Sequence, residues 1–192
     1  LGQISEACGR LLDSSSVGIR LVDGEDLVVR ATWGDAKDIM LTPRLKKGDS
    51  ISGIVVAAGE PVVVPDAAND PRLIPTHREA LRRHGYRAWL GVPVKAGEHV
   101  LGVLSIQTRR EGGFSSEDLA IATAFASQAA IALENARLFA EVADRIRAVE
   151  EALARVKQLQ GLLPICAWCK KVRRDQNYWQ TVEQYVGSHA DV

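Results

Sequence analysis

Two cysteines in the run Cys166-Ala-Trp-Cys169 carry the most specific chemistry in this 192-residue chain. A tight turn between them points both sulfurs the same way, so the pair can chelate one ion through two thiolates and supply half of a tetrahedral zinc site. His189 offers a third ligand, and a fourth is missing from the chain. A redox pair of this spacing follows a strand and opens a helix. Here the pair follows Gly161-Leu-Leu-Pro164 instead, which leaves structural zinc in a longer protein and a metal-free thiol turn as the readings open. His77 and His84, within HREALRRHGYR, are the other ligand types and could serve as axial haem ligands, although histidines among arginines are more often solvated surface residues. No Gly-rich phosphate loop, assembled Ser, His and Asp set, or kinase or cyclase signature is visible, so a non-enzymatic chain is expected.

Composition narrows the class further. Lysine plus arginine and aspartate plus glutamate both number 24, so the formal charge is zero and no global field draws nucleic acid or an anionic membrane. The small basic cluster Lys170, Lys171, Arg173, Arg174 lies beside Asp175 and reads as a solvated face. Apolar stretches such as residues 62–65 and 129–133 fall far short of the roughly 18 residues of a membrane span, and no insertion is expected. Three cysteines, with Cys8 alone, do not make a disulfide framework, and no leader is visible, so the expected compartment is reducing and cytoplasmic.

The elements that must hold these groups follow from periodicity. Residues 1–12 place Ile4, Ala7, Cys8, Leu11 and Leu12 at helical spacing, the tail of a helix cut by the boundary of the sequence. Residues 17–23 and 27–33 read as a hairpin around Asp23-Gly-Glu-Asp26, and residues 89–94 and 100–107 as a second, with Pro93 at an edge or bulge. Between them lies a long irregular insert, residues 35–88, with short helical pieces and a strand at 62–64, the natural wall of a pocket. After Gly113 no Gly or Pro occurs until Gly161, which predicts one long helix. Ser115 and Asp118 form its capping box, with Phe114 and Leu119 as the staple. Its second half carries a heptad with Phe139, Ile146, Leu153 and Gln160 at a, and Val142, Val149, Val156 and Leu163 at d. A seam this narrow suits a parallel two-stranded coil, in which Arg145 faces Glu150 of the other chain.

This order of elements resembles the GAF domain of bacterial sensor proteins. The likeness rests on Lys47-Gly-Asp-Ser-Ile-Ser-Gly-Ile-Val55, Gly59-Glu-Pro-Val-Val-Val-Pro-Asp66, Asp70-Pro-Arg72, Trp89-Leu-Gly-Val-Pro-Val94 and Leu101-Gly-Val-Leu-Ser-Ile106. It implies an α+β fold, an antiparallel sheet with flanking helices, a small-molecule pocket between sheet and insert, and signalling through the exit helix. The family includes bilin binders and a methionine sulfoxide reductase, but both chemistries need cysteine in or near the pocket, and none lies between Ser14 and Ile165. The Asn-Lys-x-Asp-Glu type motif of the cyclic-nucleotide branch is absent too.

For a ligand in such a pocket, Trp33, Tyr86 and Trp89 offer stacking faces, Asp66, Asp70 and Arg72 loop hydrogen-bonding groups, and Ser105 and Gln107 polar groups at a strand end. They suit an unknown small molecule, polar and aromatic or nucleotide-like. Residues 163–171, Tyr178, Trp179, Glu183, Tyr185 and His189 resemble a short module found after PAS, GAF and receiver domains, which implies a second Cys-x-x-Cys beyond Val192. The metal set implied here is Cys166, Cys169 and His189. The expected organisation is a sensor domain at 1–138, a coiled-coil helix at 139–163 that forms a homodimer, and a partial Cys-x-x-Cys module at 164–192. The other reading is a dimerising interaction scaffold with no small ligand.

Overall fold

Apolar runs over residues 16–34 and 88–108, each broken by a turn, build two hairpins, and they form the centre of one sheet. The computed structural model describes residues 1–14, 16–40, 42–160, 165, 166, 168–173 and 179–184. Helix α1 (Gly2–Leu11) precedes β1 (Ser16–Asp23) and β2 (Asp26–Gly34). The insert follows with α2 (Ala36–Ile39), β3 (Arg44–Lys46), α3 (Ile51–Ala58), β4 (Val62–Val64) and α4 (Pro75–Arg83). Strands β5 (Ala88–Ala96) and β6 (His99–Thr108) lead to α5 (Ser116–Gln160), and a two-stranded ribbon of β7 (Val172–Arg173) and β8 (Trp179–Gln180) lies near the end. Two compact units result, Leu1–Arg137 and Leu138–Val192.

The sheet runs β3-β2-β1-β6-β5-β4 with every neighbouring pair antiparallel, the α+β architecture expected. The short β3, absent from the sequence reading, extends the edge beyond β2 through Leu27 opposite Leu45. Pro93 sits where the sequence placed it. Strand β4 covers only Trp89 to Gly91 of β5, so Pro93, opposite Val103 of β6, lies beyond the end of β4 where β5 is locally an edge.

Because strand side chains alternate, the sheet has two differently covered faces. Val17, Ile19, Leu90, Val92, Leu104 and Ile106 pack under α1 and α5 with Cys8, Leu12, Ala122, Ala126 and Ala129. On the other face, Trp89 and Val103 pack with Ile51 and Val55 of α3, Val64, Leu73, and Ala80 and Leu81 of α4. Two details of α1 differ from expectation. Ser5 and Gly9 replace Ala7 and Leu11 on the packed stripe, and Leu11 is 63% exposed. Gly9 is needed there because a Cβ would lie 2.2 Å from the Trp33 ring.

The start of α5 follows its capping box: the Asp118 N–H donates to Ser115 Oγ at 3.2 Å, and the Ser115 N–H donates to Asp118 Oδ2 at 2.7 Å. By length and composition alone, α5 could cross a membrane, which the sequence reading did not anticipate. Of this stretch, Ala122, Ala126, Ala129 and Ala130 are buried with the sheet residues of the first core, and most of the rest is exposed or half-buried. Further on, Phe139, Val142, Ile146, Val149 and Leu153, the a and d positions, are all exposed in the single chain. The side chains of Val156 and Gln160 and the whole of Leu163 lie outside what is described.

Candidate functional site

Arg20 interrupts the apolar run of β1, and its position decides the site. Val17 and Ile19 face the helices, so Gly18 and Arg20 face the insert, which covers them. Arg20 is 1% exposed, and neither Nη1 nor Nη2 has a hydrogen-bond partner among the described residues. Around it are Met40 after α2, Ser50, Ile51 and Ser52 at the start of α3, Leu73, His77 and Leu81, and Trp89, Ser105 and Gln107 from the sheet. The space they leave to the centres of water molecules is about 10 Å³, room for about one water. Met40 fills part of what would be a larger cavity: its Cε sits 2.0 Å from where a Cβ on Gly18 would be.

Among the described residues, four of the eight buried side-chain polar atoms without a partner lie at this one place. Ser50 Oγ and His77 Nε2, like the two Arg20 nitrogens, are buried without partners. Burial lowers the Arg20 pKa to about 10, which leaves it charged at neutral pH. Burial, aided by the Arg20 charge, pushes His77 down to about 4, so it is neutral there. Between the ordinary histidine value of 6.5 and about 4, the unfolded chain holds a proton that the folded chain refuses, so stability falls as pH drops through that window. The loss at pH 5 should be roughly 2 kcal/mol. Thermal unfolding from pH 7.5 to 5 should therefore show a steeper decline for the wild type than for His77→Gln. Equal slopes would mean that His77 titrates as it does in water.

The structure separates the eight pocket residues expected from the sequence. Trp89, Ser105 and Gln107 line the cavity. With its amide oxygen turned to the Trp89 indole, Gln107 accepts that N–H at 3.3 Å and donates to the Ser16 carbonyl at 3.2 Å. Ser105 Oγ donates to the Gly18 carbonyl at 3.2 Å. The other five are not on the cavity wall. Trp33 pairs with Val17 on the helix-covered face, because the hairpin register places it there.

Tyr86 is buried, but its hydroxyl donates to Asp35 Oδ2 at 2.9 Å while Arg109 lies 4.4 Å over its ring. Arg109 also bridges to Asp35 at 2.5 Å, so one cluster ties the first residue of the insert to its last turn. Burial alone would raise the Asp35 carboxyl, and the bonds from Arg109 and Tyr86 outweigh it and hold the pKa below the usual range. Asp66 accepts from Asn69 Nδ2 at 2.9 Å in an exposed turn. Asp70 and Arg72 pair with each other at 2.6 Å, which lowers the Asp70 pKa and raises that of Arg72. Their loop is structural: the Arg72 carbonyl accepts the Ile51 N–H at 3.0 Å and so seats the start of α3.

Sequence reasoning missed Arg20, Met40, Ser50 and Ser52. A charge inside Val17-Gly-Ile-Arg-Leu-Val-Asp23 was the available signal, but period-two alternation gives a solvated arginine the same pattern. His84 Nδ1 lies 3.6 Å from Asp35 Oδ2, and the space beside His77 is far smaller than a porphyrin.

At the far end, the Cys166 N–H donates to the Lys171 carbonyl at 2.8 Å and the Lys170 N–H to the Cys166 carbonyl at 2.9 Å, with Lys170 left-handed at φ 58°. The Cys169 N–H points at Cys166 Sγ, 3.5 Å away. Backbone N–H groups of Cys169 and Trp168 stabilise the thiolate and lower the Cys166 pKa. The turn therefore suits a metal-binding sulfur, but among the described residues no three His, Cys, Asp or Glu side chains come together, and His189 lies outside them.

A GAF domain model matches residues 1–133. The chain belongs to the GAF family. GAF domains are generally small-molecule-binding sensory or regulatory modules. The GAF domain of a phosphoenolpyruvate-protein phosphotransferase from Coxiella burnetii is similar at 26% identity and a TM-score of 0.64, over 73% of this chain and 84% of that one. A GAF domain/HD domain protein from Geobacter sulfurreducens shares the fold at 19% identity and a TM-score of 0.63, over 71% and 90%. So does the free methionine-R-sulfoxide reductase of Neisseria meningitidis, solved with its substrate, at 22% identity and a TM-score of 0.60, over 72% and 78%.

Proposed function

We propose that this chain is a non-catalytic sensory module of a signalling protein, which binds a small molecule between sheet and insert and transmits through α5 to a second copy. The observation that carries the reading is the cluster of buried, unpartnered polar atoms from Arg20, Ser50 and His77 around one cavity, since such groups are costly unless something satisfies them. Reductase chemistry is disfavoured by the position of Cys8. It sits on α1, fully buried against the sheet face away from the cavity, and burial pushes its thiol up to about 12. The parallel homodimer over residues 139–163 is supported by the exposed apolar a and d residues, since a helix face of that kind is normally covered. The Cys166–Cys169 turn would be half of a zinc site closed by residues beyond Val192 in a longer, cytoplasmic protein.

The small size of the closed cavity favours the scaffold alternative, in which the fold dimerises and binds nothing. A thermal-shift screen of the whole chain against neutral, cationic and anionic metabolites separates the two. Saturable stabilisation by at least one class is expected, and no stabilising compound in any class would leave the scaffold as the function.

A further inference from the structure

The cavity holds one permanent charge, and no described carboxylate lines it. Among the described residues, Arg20 and His77 are the titratable side chains on its wall. Ser50 is the N-cap of the eight-residue α3 and makes no capping bond with its side chain; its hydroxyl is left for another acceptor. Ser50, Ile51 and Ser52 bring the positive end of that helix to the same wall. The remaining lining, Met40, Ile51, Leu73, Leu81 and Trp89, is apolar or aromatic.

Resting on the sensory reading, we infer that the ligand is a small organic anion whose carboxylate or phosphate binds Arg20, Ser50 and the start of α3, while its apolar body replaces the Met40 side chain over Gly18. A guanidinium presents a fork of N–H donors that matches an oxyanion head. Neutral His77 can donate or accept one further bond through its ring. Methionine is unbranched with several rotatable bonds, so a change of Met40 rotamer is the movement that would open the space over Gly18. An uncompensated charge in the core is destabilising, so the free domain is strained at Arg20 and the anion relieves it.

Benzoate, benzamide, phenyl phosphate and inorganic phosphate are the probes, titrated into the whole chain and followed by unfolding temperature and calorimetry. Benzoate or phenyl phosphate should raise the transition by about 5–10 °C at a hundred times Kd, and the isosteric, uncharged benzamide should not. Which of the two anions binds tells a carboxylate from a phosphate ligand, and inorganic phosphate tests whether the head alone suffices. Arg20→Met should unfold at the same temperature as the wild type or higher without ligand, and bind the anion about 30-fold more weakly or worse. If that variant does not fold, Ser50→Ala, which removes one hydroxyl, should still bind several-fold more weakly. Unchanged anion affinity in these variants overturns the inference. Benzamide matching benzoate overturns it too and leaves the sensory reading standing, whereas that reading falls only if the wider screen is also blank.

Discussion

Ile146→Lys together with Leu153→Lys is expected to abolish the proposed dimer, halving the mass seen in sedimentation. Both residues are more than half exposed in the single chain, so the substitutions cost the monomer little. In a parallel coil they occupy successive a positions, and four ammonium groups would enter one dry seam at several kcal/mol each. A coil of little more than three heptads cannot offset that. The sheet and its insert lie within Leu1–Arg137, which contains neither residue, so the main unfolding transition should be unchanged. Arg145 bridges to Glu141 of its own helix at 2.5 Å. An exposed pair of this kind is worth at most about 0.5 kcal/mol, so it does not prevent Arg145 from meeting Glu150 of a second copy. A wild-type monomer, or a dimer that survives both lysines, would place the transmission surface elsewhere.

Gly53→Ala should be the most damaging single substitution near the cavity. A Cβ there would stand 1.5 Å from the Lys47 carbonyl oxygen and 2.5 Å from its carbon, so backbone rather than a side-chain tip has to move. A loss of about 3 kcal/mol is expected, a drop in the unfolding temperature on the order of 6–12 °C. Gly48→Ala is the control, since nothing lies within 4 Å of its Cβ position. Because α3 carries Ile51 and Ser52 and is capped by Ser50, any Gly53→Ala protein that remains folded should also bind the proposed anion less well. Equal stability of the two variants would show that α3 does not pack on Lys47 as closely as described.

Local chemistry made several elements legible in the sequence alone. Apolar, β-branched runs separated by turn residues at 23–26 and 95–99 marked both hairpins, the Ser115–Asp118 box marked the start of α5, and the run free of Gly and Pro set its length. The order of motifs in the first 133 residues was enough to recognise the family. Each signal depends on neighbours a few residues apart, which is the range over which sequence patterns report structure.

The site depended on contacts that no local pattern contains. Hairpin register sent Trp33 to the helix-covered face, and the partnership of Tyr86 with Asp35 and Arg109 took its hydroxyl out of the cavity. Asp70 and Arg72 look like ligand groups in sequence, yet they neutralise each other in the loop that seats α3. Arg20, by contrast, looks like a surface residue on an amphipathic strand. It becomes the centre of the site only because residues 35–88 fold over that face, bringing Ser50 and His77 within reach of it. Periodicity and turn residues settled the local elements, and the likeness of the motifs pointed to the family; long-range packing alone decided which polar groups are buried without a partner, since burial depends on what the rest of the chain places on top of a residue.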